Sequence, residues 1–466
     1  MTGLFIVAAT GLMIPAGLVP AAAGDPGGVT FTSLERAAPP PLLQLVESVP
    51  IETSLDHADL PDAYQVWAEM IANASDTIDL AQFYASDTAD SRLGPIILAI
   101  EAAAERGVRV RFLAEKRLHA TYPQTLDRLA ACAGIEVRLF DGASLVGGVL
   151  HAKYFIVDGR EAFLGSQNFD WRALTHIVEL GVRIREPHLA QALSALFQYD
   201  WDLAGTEVAA PAPAMPRTGA SGAGGEDVAP PAPSGPDTES AQTFPIAILL
   251  DAVRGGGTMP AAAPADAGTK PAPAPPDTVW VTPLFSPRDR LPAGARWDLP
   301  ELIRMIDSAR DTVQVQLLTY RAMDRDGSYF ADLESALRRA AARGVTVELL
   351  LSDWCKRRGT IEGLQSLQAL PGFAIRLVTI PPWSGGFVPF ARVIHAKYMV
   401  VDGREAWIGT SNWEWDYFHA SRNVGLHVRG RSMADRLRRF FLDLWKSPYA
   451  VPVDPCARYT VPRIGE

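Results

Sequence analysis

The sequence predicts an α/β fold made of two pseudo-twofold-related α/β/α sandwich lobes that build one shared active site. Three observations lead there. With about 40 N-terminal residues set aside, more than 400 of the 466 remain, too many for one ordinary core. The segments on either side of a Pro/Ala/Gly-rich stretch repeat each other. Each repeat also ends in the same string of chemically capable side chains. Apolar residues make up 48% of the chain and charged residues 21%, which suits folded lobes rather than a disordered chain.

The first element, residues 1–24, is apolar and uncharged from Gly3 to Gly24 and closes in Ala21-Ala22-Ala23-Gly24, like a small-residue cleavage site. It reads as a cleaved signal peptide or as a retained anchor. Pro15 and Pro20 make a poor spanning helix, while a basic start is missing, since the first basic residue is Arg36. Export, to a periplasm, the exterior or a membrane surface, is the expectation in either case. Residues 25–42 form a flexible segment, 43–205 the first lobe, 206–276 a linker, 277–450 the second lobe and 451–466 a C-terminal tail. The linker is rich in Pro, Ala, Gly and Ser and cannot bury a core. One apolar island in it, Phe244 to Val253, is expected to dock as a short helix.

Within the lobes the repeat runs element by element. Met70 to Ile78 (MIANASDTI) matches Met305 to Val313 (MIDSARDTV). A strand-like run ending in Tyr84 or Tyr320 follows, then an alanine-rich helix, then Arg-Gly-Val-x-Val at Arg106 to Val110 and Arg343 to Val347. Helix, strand, helix, strand is the order in both halves, and that alternation predicts helices covering a mixed sheet.

A net charge of −10 and a pI near 5.4 exclude a general basic field that would gather nucleic acid or an anionic membrane. An anionic substrate must therefore be held locally. Cys132, Cys355 and Cys456 are too few for a disulfide scaffold and lack zinc-site spacing, so they read as scattered thiols.

The chemistry lies in a doubled string, His151-Ala-Lys153-Tyr-Phe-Ile-Val-Asp158 and His395-Ala-Lys397-Tyr-Met-Val-Val-Asp402. Gly165-Ser166-Gln167-Asn168 and Gly409-Thr410-Ser411-Asn412 follow at matching distances. If the run after each histidine is a strand, positions i and i+2 share a face, so His and Lys project together while Ala152 and Ala396 point away. Ser166 with Asn168, and Thr410 with Asn412, can join them from the next strand. Asp158-Gly159 and Asp402-Gly403 are hairpin signals, so both aspartates read as turn residues rather than catalysts. Glu179 and Asn423 each lie 28 residues beyond a motif histidine and could accept a hydrogen bond from an imidazole Nδ1.

His57, His119, His176, His188, His419 and His427 lack that context and read as surface or structural histidines. Asp324-Arg-Asp326-Gly327 reads as an ordinary turn rather than a calcium loop. Of Trp413, Trp415, Tyr417 and Phe418, at least half are expected in the core. Trp383, in the loop Pro381 to Gly386, is the expected substrate wall.

These paired motifs resemble those of the phospholipase D superfamily. Leu45 to Pro50, Asn168 to Val182, Pro389 to Asp402 and Ile408 to Phe418 resemble one branch of it. That branch holds animal lysosomal phospholipase D-like proteins, which act as 5′ exonucleases on single-stranded nucleic acid, and related poxvirus envelope proteins. The likeness runs from about residue 43 to residue 448, linker excluded. It implies two phospholipase D-like lobes and a metal-independent reaction through a covalent phosphohistidine, with no cofactor. One histidine would attack phosphorus and the other protonate the leaving oxygen, while both lysines and both asparagines donate to the equatorial oxygens. His151, with Glu179 as its orienting partner, is the favoured nucleophile. The resemblance leaves the diester open between single-stranded nucleic acid and phospholipid, with hydrolysis or head-group transfer for the lipid. A catalytically silent, membrane-associated scaffold is the reading from another class, and membrane contact and oligomeric state stay open.

Overall fold

The computed structural model describes residues 40–205, 244–247, 278–324 and 327–465. The expected leader therefore lies outside the described residues, as does most of the expected linker. Among the described residues no helix is long and apolar enough to cross a membrane.

The first lobe is a mixed sheet of β1 (Leu43–Ser48), β2 (Thr77–Gln82), β3 (Arg109–Glu115), β4 (Ile135–Phe140), β5 (Tyr154–Val157), β6 (Glu161–Gly165) and β7 (Ile177–Ile184). Their spatial order is β1-β7-β6-β5-β2-β3-β4. The crossover from β2 to β3 runs through a helix, which makes that pair parallel, whereas the Asp158-Gly159 hairpin makes β5 and β6 antiparallel. α1 (Ala63–Ala72) and α2 (Gly94–Glu105) cover the outer face with Trp67, Met70, Ile96 and Ile100. α3 (Pro187–Gly205) covers the inner face through Leu193, Leu196, Phe197 and Trp201.

The second lobe repeats the plan with β8 (Phe244–Ala247), β9 (Thr278–Ser286), β10 (Thr312–Leu317), β11 (Thr346–Ser352), β12 (Phe373–Val378), β13 (Val393–Ile394), β14 (Tyr398–Val401), β15 (Glu405–Gly409), β16 (Asn423–Arg429) and β17 (Ala450–Pro452). Its sheet order is β8-β9-β16-β15-β14-β10-β11-β12-β17. α4 (Asp298–Ser308) and α5 (Asp332–Ala342) cover the outer face, and α6 (Arg431–Lys446) the inner one. Phe244–Ala247, expected to begin a docked helix, is instead a strand antiparallel to β9. This strand is the edge of the sheet, a position where proline is tolerated.

The inner faces of both sheets, with α3 and α6, merge into one core that includes Leu45, Leu180, Phe197, Val281, Ile408 and Phe441. Both alanines of the His-Ala-Lys strings, Ala152 and Ala396, are buried in it. The lobes also exchange backbone. β13 pairs in parallel with β7, and Leu150 bridges to Arg422, so each motif approaches the sheet beside a strand of the opposite lobe.

Candidate active site

The motif histidines and lysines sit one step earlier than expected. β5 begins at Tyr154 and β14 at Tyr398, so His-Ala-Lys forms the extended approach to each strand rather than its first residues. The two-residue periodicity survives because the approach is held extended by the other lobe. His151 N–H donates to Arg422 O at 2.9 Å, and His395 N–H to Val178 O at 2.8 Å. Both histidines and both lysines are buried. Each lysine Nζ donates to the carbonyl of its own motif histidine, Lys153 at 2.7 Å and Lys397 at 2.6 Å.

The aspartates take the turn role. Asp158 and Asp402 both have φ of 52°, a left-handed conformation that Asp tolerates better than most residues. Each carboxylate then gathers three consecutive backbone N–H groups ahead of β2 or β10. Asp158 accepts from Ser75, Asp76 and Thr77, and Asp402 from Arg310, Asp311 and Thr312. The motif aspartate thus ties its hairpin to the neighbouring strand.

The orienting partners are exchanged between lobes, which corrects the expected pairing of Glu179 with His151. Both Glu179 oxygens lie 2.9 Å from His395 Nδ1, whereas His151 Nδ1 lies 3.0 Å from Asn423 Oδ1. The cause is the backbone exchange: β7 carries Glu179 beside β13 and His395, and Arg422 carries Asn423 beside His151. Asn423 Nδ2 donates to Tyr417 O at 2.8 Å, which turns its Oδ1 toward the imidazole. The next hydroxyl completes each set. Ser166 Oγ donates to Glu179, and Thr410 Oγ1 donates to Asn423 Oδ1 at 2.9 Å. With both Nδ1 positions donating, each Nε2 is left for chemistry.

Cross-strand glycine pairs make room for this arrangement. Gly181 and Gly425 lie opposite Gly165 and Gly409, and a Cβ at either would collide with the ring of Phe163 or Trp407.

Burial dominates the electrostatics. It pushes both imidazoles well below their ordinary range, with the two lysines adding to the effect. Burial also lowers Lys153 well below its usual value and Lys397 to about 7. Glu179 is lifted by burial to about 8, opposed by Lys397, Ser166 and Lys153. Its placement, accepting from a hydroxyl and from His395 Nδ1, fits the ionised carboxylate, and we assign it that form. When both lysines are protonated, the pocket sets two ammonium groups against one carboxylate. That arrangement favours an anion.

Asn412 Nδ2 donates to the Tyr417 hydroxyl at 3.0 Å, and Asn168 Oδ1 is buried without a hydrogen-bond partner. Asn168 and His395 share a pocket of about 320 Å³ with Phe83, Tyr84, Tyr122, Arg172, Trp354 and Phe390. Tyr84 stacks on Tyr122 at 5.1 Å, and Phe83 and Tyr417 meet the His151 ring edge-on at 4.9 and 5.0 Å. Trp383, expected as the substrate wall, instead packs against His176 at 5.0 Å and takes no part in lining this pocket. Phe390, seven residues farther along the same extended loop, stands there. Trp413 and Phe418 are in the core as expected, while Tyr417 belongs to the site. Sequence reasoning missed Phe83, Tyr122 and Trp354; only the aromatic run Phe83-Tyr84 at the end of β2 hinted at them.

The remaining histidines are partnered much as expected: His57 with Glu47, His119 with Asp127, and His427 between Glu301 and Glu405. His176 differs, because its Nδ1 is buried without a hydrogen bond. Gly327 N–H donates to Asp324 O, as in an ordinary turn. All three cysteines are free thiols. Among the described residues no group of three or more His, Cys, Asp or Glu is placed to hold a metal ion.

Two lobes with exchanged histidine partners define a phosphodiester-handling fold, and comparison with known proteins agrees. The family model described as cardiolipin synthase, PLD-like domain, matches residues 68–201 and 302–445, one stretch in each lobe. The chain belongs to the phospholipase D superfamily and is a phosphodiesterase of that type. It is 32% identical over 440 residues to 5'-3' exonuclease PLD3 of Bos taurus, covering 89% of this chain and 81% of that protein. Phospholipase D Z of Dictyostelium discoideum is 29% identical over 428 residues, covering 88% of this chain and 90% of that protein. Among solved structures, the phosphatidylserine synthase of Haemophilus influenzae shares the fold, with a TM-score of 0.55 at 12% identity over 88% of this chain and 87% of that one.

Proposed function

We propose that the chain is an exported 5′ exonuclease on single-stranded nucleic acid, working through a phosphohistidine on His395. The observation that carries the substrate is the small aromatic pocket beside His395. Its walls of Phe83, Tyr84, Tyr122, Trp354 and Phe390 suit a stacked base, and about 320 Å³ suits one nucleoside better than two acyl chains. The names of relatives such as 5'-3' exonuclease PLD3 point the same way. The apolar stretch Gly3 to Gly24 supports export. In this reading residues 43–205 and 277–450 act as one unit joined by 206–276.

The orienting partners support a division of roles. Glu179 makes His395 Nε2 electron-rich and stabilises positive charge on the phosphorylated ring, so His395 attacks phosphorus. The neutral amide of Asn423 supports an imidazolium less strongly, which makes His151 the better acid. As the N–P bond forms, the bond to the leaving 5′-oxygen breaks and that oxygen takes the His151 proton. His151 then deprotonates a water, which attacks phosphorus and releases His395. Lys153, Lys397, Asn168 and Asn412 donate to the non-bridging oxygens as charge grows there.

The test compares 5′-hydroxyl single-stranded DNA and RNA with phosphatidylcholine and phosphatidylglycerol, each with and without EDTA. Nucleotide release unaffected by EDTA is expected. Turnover on lipid alone would overturn the substrate, and loss of activity in EDTA the mechanism. His151→Ala and His395→Ala should each slow turnover by about 10²–10⁴-fold or more, with trapped phosphate mapping to His395.

A further inference from the structure

Phe390 presents a contradiction that the C-terminal tail resolves. It lines the pocket of His395, yet its side chain is 47% exposed, so the core does not hold it. Its φ of 58° is unfavourable for an aromatic residue, and Arg392, two residues on, is also left-handed at 54°. Something outside the loop must fix this conformation.

Arg392 secures one side. Its guanidinium donates to Pro381 O at 2.6 Å and to Ile51 O at 2.8 Å, clamping the base of the loop to the first lobe. The other side is held by the tail. After β17 the chain leaves the far edge of the second sheet, anchored where Gln365 Nε2 donates to Asp454 O and Ala457 O at 3.0 and 2.8 Å. At Arg463 to Gly465 it meets the aromatic loop. Phe390 N–H donates to Ile464 O at 2.7 Å, and the Arg463 guanidinium lies 4.0 Å over the Phe387 ring. Gly465 lies beside the tip of the Phe390 ring, where an added Cβ would come to 3.0 Å from Cζ.

We infer that Phe390 is a specificity-determining residue, a stacking platform for one substrate base at the pocket mouth, and that Arg463 to Gly465 act as its positioning strap. This rests on the nuclease reading above. The tail touches neither motif, so its effect is on substrate placement. A half-exposed ring whose backbone is held by the tail offers aromatic surface for base stacking.

The experiment measures KM and kcat on a 5′-hydroxyl oligothymidylate and on versions with an abasic residue at either nucleotide flanking the scissile phosphate. For the unmodified protein, base removal at one of these positions should raise KM about tenfold, the usual scale of one base–aromatic stack. Phe390→Ala should show that higher KM on the intact strand and no further rise on the abasic one, and Phe390→Trp should restore base dependence. Deletion of Arg463 to Glu466, or the milder Gly465→Val, should reproduce Phe390→Ala. Combining the deletion with Phe390→Ala should add nothing. Full base dependence in Phe390→Ala would overturn the platform, and full base dependence in both tail variants would overturn the strap. An unmodified protein that cleaves no oligonucleotide would overturn the nuclease reading and this inference with it, whereas failure of the inference alone appears only in the variants.

Discussion

At the residue scale, the site packs two lysines and two imidazoles whose charged forms burial disfavours, and that has a thermodynamic signature. Burial holds the Lys397 ammonium at about 7, so near pH 8 most free protein carries it neutral. An oxyanion beside it restores its charge, which raises its pKa, and binding between those two values takes up a proton. Calorimetric titration with sulfate, which does not titrate near neutrality, should show at pH 8 an enthalpy that varies with the ionisation enthalpy of the buffer. The slope should show net proton uptake, shared by Lys397 with Lys153 and the two imidazoles that burial also holds low. A buffer-independent heat at pH 8 would sink the argument. The motif residues themselves were legible in the sequence, because two copies of one spacing expose the chemistry twice. The partner of each imidazole was not. A separation of 28 residues says that Glu179 could reach a histidine, but only the lobe-to-lobe strand exchange decides that it reaches His395.

At the element scale, β16 shows how a strand that delivers a site residue is itself fixed. His427 lies in it between Glu301 of α4 at 3.0 Å and Glu405 of β15 at 3.1 Å, with Arg304 bonded to both glutamates. Burial lowers the imidazole pKa, but the two carboxylates outweigh it and hold His427 above its ordinary value. Both glutamates are resisted by burial and still drawn down to about 2 by His427 and Arg304. The signs give a window. A raised histidine contributes stability that is complete below its unfolded pKa near 6.5 and fades as pH rises through the folded value. Depressed carboxylates contribute above their unfolded values and lose it as pH falls toward 2. The network should therefore be strongest between about pH 4.5 and 6.5. Relative to His427→Gln, the unmodified protein should gain more melting temperature at pH 6 than at pH 8.5, by a margin on the order of a few degrees. Equal gains at both pH values would mean that the imidazole is not charged in the fold. Helices and strands of the lobes were readable from alternation and repeat, since local pattern sets local structure. The strand at Phe244–Ala247 was not, because a short apolar run has no period and its ladder partner, residues 278–281, lies beyond the linker.

At the scale of the whole molecule, the two lobes act as one site only if their backbones stay in register, and a buried ion pair sits at that junction. Arg422 is fully buried, with Nε donating to Asp200 of α3 at 3.1 Å and Nη1 to Ser286 O at 2.8 Å. Its backbone meanwhile clamps the first motif, accepting from His151 N–H and donating to Val149 O, both at 2.9 Å. One residue therefore joins α3 of the first lobe, the strand end at Ser286, the approach to His151 and, through the next peptide, Asn423. Internal repeats gave no hint of it, since Asp200 and Arg422 have no counterpart pair in the matching positions Leu444 and Val178. Removing one partner strands a charge in a dry interior, which costs about 3–5 kcal/mol. Asp200→Ala should thus lose that much stability in denaturant titration, while Asp200→Ala with Arg422→Met should recover a large part by removing the stranded charge. Activity should separate from stability. The double variant keeps the fold but frees the backbone at Arg422, so His151 and Asn423 lose their fixed geometry and kcat should stay well below that of the unmodified protein when both are assayed fully folded. Recovery of kcat in step with stability would show that the pair only holds the lobes together and does not position His151.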